Sequence, residues 1–314
     1  MSIIPYPYKK NFMNDPLWYM ENLLKYKAII IKATNEKYTE LKSKKQYNYD
    51  IIVKLQKTDY ETINIITDYF TEEERLKAIV KGQKYSPIEY WNNNWKELIK
   101  QTNDIKKLRD LIWKNGPKEA TQFKITSAYS IFKYIEEDLD LNLSKCNILD
   151  PSSGWGDRLI MSIGLNFNKY VGYDPNTNLQ KGYNEINTYF GKKKYKVIPE
   201  PFEDATLKQN FDFVFTSPPY FDVEDYTNDK NQSIKRYPNV DKWINVFFND
   251  YITNAWNALK IGGVFMIHIA DSRNLQICLY LNQLMDSIGA KKYKVFGIEG
   301  ENFIFPVWTW KKNN

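Results

Sequence analysis

From about residue 118 to its C-terminus the chain alternates short apolar runs with longer stretches of helical spacing, a pattern with few structural solutions. The runs Cys146–Leu149, Tyr170–Tyr173, Lys196–Ile198, Phe211–Thr216, Gly263–Ile269, Lys292–Phe296 and Phe303–Trp310 predict strands. The stretches Ile125–Leu139, Asp157–Leu165, Leu179–Phe190, Trp243–Leu259 and Leu275–Ile288 predict helices. Short buried strands separated by helices build a parallel, doubly wound α/β sheet. The last two runs follow one another without a helix, so one of that pair is expected to be antiparallel.

The first 117 residues are less regular. Ala28–Ile31 and Ile51–Leu55 predict strands, and Thr71 followed by Glu72, Glu73 and Glu74 predicts an N-cap opening a helix through Val80. Trp95–Trp113 has helical spacing and runs into the stop signal Asn115-Gly116-Pro117. We therefore expect a mixed α/β accessory or substrate-recognition region at 1–117 and a main domain at 118–314. Residues 1–120 carry 22 basic against 16 acidic side chains, and residues 121–314 carry 22 of each, so all of the +6 net charge is N-terminal. Such clustering fits an acidic partner such as nucleic acid, and it fits a solvated Lys-rich face equally well. Tyr47, Tyr49, Tyr85, Tyr90, Trp91 and Trp95 are placed to stack on bases or to fill a core.

Several classes of protein are excluded. At 43% hydrophobic the chain has ample core material. It has no run of roughly 18 apolar residues and no secretory leader, so no membrane partner is expected. Cys146 and Cys278 are far apart and His268 is the sole histidine, which leaves no Cys/His metal site. A reducing, cytoplasmic setting and no metal are the expectations.

Chemistry concentrates at the strand ends. Asn147-Ile-Leu-Asp-Pro-Ser-Ser-Gly-Trp-Gly-Asp-Arg158 follows the first strand of the main domain, with Asp150, Ser152, Gly154 and Gly156 in the turn. Ligands bind outside the carboxyl ends of such strands, where glycines admit a close backbone approach. The turn lacks the third glycine of a dinucleotide fingerprint and the Gly-Lys-Ser/Thr of a P-loop. Asp174, closing the next strand, suits the two hydroxyls of a ribose, and it suits a turn or cap equally. Pro201-Phe202-Glu203-Asp204 offers an apolar ring and carboxylates for an adenine. Phe211–Thr216 then delivers Ser217-Pro218-Pro219-Tyr220 into the same crevice. Two prolines donate no backbone hydrogen bond and leave rigid carbonyls free to accept from an amino group. If Ser217 and the Pro218 carbonyl take its two hydrogens, the nitrogen lone pair leaves conjugation, while Tyr220 stacks on the base.

At these residues the sequence resembles the S-adenosylmethionine-dependent DNA amino-methyltransferases, whose motifs are a D-P-x-x-G-x-G turn and an (S/N/D)-P-P-Y tetrad. The resemblance covers about 118–314. It implies a seven-stranded Rossmann-like sheet and S-adenosylmethionine as cofactor. Catalytic roles fall on Ser217, Pro218, Pro219 and Tyr220; Asp150, Gly154 and Gly156 meet the methionine portion, Asp174 the ribose, and Phe123 packs beside the cofactor. Ser at the first tetrad position is closer to the cytosine-N4 enzymes than to the adenine-N6 ones, so N4 of cytosine in DNA is the expected acceptor.

The chain departs from many cytosine-N4 enzymes in placing the turn before the tetrad with about sixty residues between them. Target choice is then expected of residues 1–117 and of the segment Phe221–Asp241, with Asp222, Glu224, Tyr226, Gln232, Ser233, Lys235 and Arg236, a stretch that fits a lid reading a base edge and a solvated surface loop equally well. Adenine-N6, RNA amino groups and protein glutamine stay open as acceptors, as does a non-catalytic nucleic-acid platform. Asp157 and Arg158 are expected to pair locally, and His268 to be either a core residue or a wall of the crevice.

Overall fold

The computed structural model describes residues 5–32, 34, 37–39, 46–56, 60–208, 211–227, 229–271, 275–300 and 304–313. Its N-terminal part contains α1 (Pro16–Leu24), β1 (Ile30–Ile31), β2 (Lys37–Thr39), β3 (Gln46–Asp50), β4 (Val53–Leu55), α2 (Asp68–Arg75), β5 (Ile79–Val80), α3 (Pro87–Ile99) and α4 (Ile105–Asn115). Local chemistry sets the two longest helices of this part. Ser86 and Glu89 form a reciprocal capping box with Pro87 in the first turn of α3, and Asp104 accepts from the Lys107 N–H to start α4. The single helix expected over Trp95–Trp113 is therefore two, because Asp104 begins a new one. Helix α2 starts four residues earlier than expected, with Thr67 in place of Thr71 at the N-cap position, and ends at Arg75, while Val80 lies in a strand. Thr71 does not cap it: its hydroxyl donates to the carbonyls of Thr67 and Trp155.

The rest alternates as expected: α5 (Ile125–Asp138), β6 (Asn147–Asp150), α6 (Asp157–Gly164), β7 (Lys169–Tyr173), α7 (Gln180–Tyr189), β8 (Lys196–Ile198), β9 (Phe211–Thr216), β10 (Glu224–Asp225), α8 (Ser233–Arg236), α9 (Val240–Lys242), α10 (Asn249–Ala258), β11 (Leu259–His268), α11 (Ile277–Ser287), β12 (Lys291–Glu299) and β13 (Ile304–Lys311). A π-helical stretch, Trp243–Phe248, joins α9 to α10.

The main sheet has the order β1-β4-β12-β13-β11-β9-β6-β7-β8. It is a doubly wound α/β sheet in which β13 runs antiparallel to both neighbours and β6 to β9 are parallel. Nine described strands replace the seven expected, because β1 and β4 extend the edge and β4 pairs in parallel with β12 through Val53↔Phe296. Part of the N-terminal region is thus continuous with the main sheet. Side chains alternate between two cores, since successive strand residues face opposite sides. Phe213, Phe215, Val264 and Met266 face α5, α6 and α7, whereas Val214, Phe265 and Ile267 face the π stretch, α10 and α11. A third cluster packs Tyr6, Leu76, Trp91 and Trp95 with Leu98, Leu108 and Ile112. Trp91 and Trp95 are therefore core, Tyr85 is exposed, and the side chains of Tyr47 and Tyr49 lie outside the described residues.

The chain runs outward from β6 to β7 and β8, then returns to β9 on the other side of β6. This reversal makes the carboxyl ends of β6 and β9 a topological switch point, the place where such sheets form a crevice for ligands.

Candidate active site

The turn after β6 is folded by its glycines. Gly154 and Gly156 have φ of +54° and +94°, a region that disfavours side chains, and Gly156 caps α6. The Gly154 N–H donates to Asp174 Oδ2 at 2.8 Å, and the Tyr183 hydroxyl donates to the Gly154 carbonyl. A Cβ at Gly154 would meet nothing closer than 3.9 Å, so this backbone borders open space.

Asp150 does not present an open carboxylate. It is fully buried; Oδ1 accepts from the Ser152 N–H, and Oδ2 accepts from Arg158 Nε at 2.9 Å and the Tyr170 hydroxyl at 2.8 Å. Burial pushes its pKa up, with the Arg158 charge opposing. Asp150 also braces the turn, because its partner Arg158 donates to the Ser152 carbonyl. The expectation that Arg158 pairs locally holds in this form. Asp157 is also buried, but its partners are distant rather than local: its carboxylate accepts from the Thr67 hydroxyl at 2.9 Å and the Phe123 N–H at 3.3 Å, and burial raises its pKa to about 7.

Asp174, at the end of β7, is 8% exposed. Its Oδ1 accepts from the Asn176 N–H at 2.9 Å, and burial raises its pKa to about 7 against the pull of the two N–H donors. Each oxygen has one such bond and so keeps acceptor capacity. Beside it the buried Asn176 Nδ2 has no hydrogen-bond partner among the described residues, a donor that a ligand would satisfy. Phe202 differs from expectation. It is 2% exposed and packs edge-on against Tyr173 and Tyr251 in the second core, leaving no face for an adenine. Glu203 and Asp204 both pair with Arg236, the latter at 2.9 Å.

On the other side of the crevice, Pro218 is buried and Ser217, Pro219 and Tyr220 are half-buried. Ser217 Oγ lies 3.4 Å from His268 Nδ1, and the Tyr220 hydroxyl donates to the His268 carbonyl at 3.4 Å. Phe123 stands edge-on to His268 at 5.0 Å and to Phe215 at 5.5 Å, with the Arg158 guanidinium 5.7 Å from its ring centre. Ser152 Oγ and Thr216 Oγ1 both bond to the Tyr251 hydroxyl, which ties the β6 turn to the end of β9.

The lid-like segment is stitched to the N-terminal region. Strand β10 pairs antiparallel with β5, Lys81 pairs with Asp222, and Glu224 accepts from the Thr121 N–H at 2.9 Å. Gln232 folds back to donate to Asp225 Oδ1, so it braces its own loop. The Tyr226 ring meets Trp155 at 5.8 Å, next to the glycine turn. Sequence reasoning missed Thr67, Thr121, Trp155, Tyr170 and Tyr251 at this site. Trp155 occupies the variable position between the two glycines of the turn, and the other four sit in no motif and are brought in by packing between distant segments.

Among the described residues no group of three or more His, Cys, Asp or Glu is placed to hold a metal, and no helix is long and apolar enough to cross a membrane.

Three solved structures share features of this fold. TrmN from Thermus thermophilus is 12% identical with a TM-score of 0.43; the match covers 59% of this chain and 48% of TrmN, so the chain spans about half the length of that protein. Magnesium protoporphyrin IX methyltransferase from Synechocystis PCC 6803, with bound SAM, is 9% identical with a TM-score of 0.44, covering 72% of this chain and 94% of that one. Burkholderia thailandensis 1,6-didemethyltoxoflavin-N1-methyltransferase is 13% identical with a TM-score of 0.42, covering 75% and 94%. No family model matches the sequence, and no curated protein does.

Proposed function

We propose that the protein transfers a methyl group from S-adenosylmethionine to an exocyclic amino group of a nucleobase, with N4 of cytosine in DNA as the favoured acceptor. The observation that carries this reading is the adjacency of β6 and β9, which puts the glycine turn beside Ser217-Pro-Pro-Tyr220 across the switch point. Asp174 has acceptor capacity for ribose hydroxyls, Asn176 Nδ2 offers a donor, and Gly154 leaves room for the methionine portion. When bound, S-adenosylmethionine supplies an electrophilic sulfonium methyl group.

The chain's part is positioning and exclusion of water. The Ser217 hydroxyl and the Pro218 carbonyl accept the two amine hydrogens, which turns the nitrogen lone pair out of the ring's conjugation. Tyr220 stacks on the base. Burial pushes its phenol pKa up, so the ring stays neutral at physiological pH. The β5–β10 pair and the Trp155–Tyr226 contact flank the crevice. A base in a duplex must be flipped to enter, at a cost of a few kcal/mol. The excess basic charge of residues 1–120 and the β5–β10 pairing support a recognition role for the N-terminal region.

The test is mass spectrometry of nucleosides from DNA and RNA incubated separately with the protein and methyl-labelled S-adenosylmethionine. Labelled N4-methylcytosine from DNA is the expected result. Label in N6-methyladenine or an RNA nucleoside moves the acceptor. No label in either, with cofactor bound, points to a protein amide, and no cofactor binding at all points to a nucleic-acid platform.

A further inference from the structure

The only histidine of the chain stands in the wall of the crevice, and strand register puts it there. In the parallel pair β9–β11, Ile267 lies opposite Thr216, so the next residue of each strand, His268 and Ser217, emerge as neighbours at the carboxyl edge. Both share the side-chain parity of Phe215 and Met266, which face the α5 side where Phe123 stands. The imidazole is enclosed by Phe123 at 5.0 Å and Phe305 at 6.1 Å, and the residue touches the tetrad twice: through the ring Nδ1 to Ser217 Oγ and through its backbone carbonyl, which accepts from the Tyr220 hydroxyl.

A serine hydroxyl has one hydrogen and two lone pairs, so it accepts cleanly from an amine only if its own hydrogen is directed elsewhere. Nδ1 of a neutral imidazole is such a direction, provided that the ring proton sits on Nε2. We propose that His268 is the positioning residue of the tetrad: its Nδ1 takes the Ser217 hydroxyl hydrogen and so turns both Ser217 lone pairs toward the incoming amine. This inference rests on the amino-methyltransfer reading above. Burial, assisted by the Arg158 charge, pulls the His268 pKa down to about 3, which keeps the ring neutral throughout the working range, so that Nδ1 accepts when the ring proton is on Nε2.

Because the chain has one histidine, ¹⁵N-detected histidine NMR of the whole protein reads this residue without ambiguity. The expected spectrum is a neutral ring with its proton on Nε2 from pH 6 to 8, and an Nδ1 resonance that moves in Ser217→Ala. In steady-state assays His268→Phe is expected to lower kcat on the order of 10²-fold, as misplacement of a reacting group does, with KM for S-adenosylmethionine unchanged. His268→Asn, whose amide oxygen reaches near the Nδ1 position, is expected to recover much of that loss. A proton on Nδ1, an imidazolium at neutral pH, or a His268→Phe variant with undiminished kcat overturns the proposal. If His268→Phe and His268→Asn lose cofactor binding equally, the residue is structural and the proposal also falls. A wild-type protein that transfers no methyl group to any amine overturns the underlying reading instead, which its own assay reports separately.

Discussion

The N–H of Gly154 donates to Oδ2 of Asp174 at 2.8 Å, so the turn after one strand is fastened to the carboxylate that ends the next. That carboxylate is held at a pKa of about 7 by burial. Ribose hydroxyls donate to it fully only when it is ionised. Calorimetry should therefore show S-adenosylmethionine affinity rising with pH between 6 and 8. Asp174→Asn should weaken binding by about tenfold or more, the scale of one hydrogen bond to a charged group, and remove the pH step.

The same shifts predict the pH dependence of stability. Asp157 and Asp174 both bind protons in the folded state up to about pH 7, whereas the ordinary carboxyl value of 3.8 applies in the unfolded chain. Between those values the folded state holds more protons, so unfolding free energy falls as pH rises through the window. Thermal denaturation of the ligand-free protein should give a higher midpoint at pH 5.5 than at pH 8. Asp157→Asn should flatten that difference, and an unchanged slope in the variant would contradict the assignment.

Tyr220→Ala should abolish methyl transfer and leave cofactor affinity intact, because the side chain is assigned to the acceptor base. Calorimetry alongside a transfer assay separates the two. Undiminished turnover would refute stacking.

Helix α2 is held by a buried ionic cluster. Arg75 donates to Asp68 at 2.9 and 3.0 Å and to Glu119 at 2.8 Å, and Arg109 reaches Glu72 at 2.9 Å. Removing one member strands buried charge, which costs about 3–5 kcal/mol. Arg75→Ala should lose stability on that scale in urea denaturation. Because Thr71 of α2 holds the Trp155 carbonyl, cofactor affinity should fall with it.

Arg236 clamps the segment 221–241 to the turn after β8 through Glu203 and Asp204. Arg236→Ala should speed proteolysis within residues 221–241 and leave the overall melting temperature almost unchanged. Protection equal to wild type would show that the β5–β10 pairing alone holds the segment.

Where an element is set by its own residues, sequence and structure agree closely. Strands β8 and β9 fall at the expected bounds, since an apolar run between turn signals needs no distant partner to define it. The order of strands and helices, the glycine turn, Asp174 and the proline tetrad are all local patterns of this kind. Hydrogen-bond partners are not local. Asp150 looked like a ligand and proved to be buried and paired with Arg158 and Tyr170, while Phe202 looked like a stacking face and turned inward against Tyr173 and Tyr251. Strands β1 and β4 joined the main sheet because its β12 edge offered unpaired backbone groups, a fact invisible in their own short sequences. Periodicity and turn chemistry thus specified the architecture and the neighbourhood of the site. Which buried polar group meets which was decided only when distant segments packed, because each must find its partner among whatever the fold brings within about 3 Å.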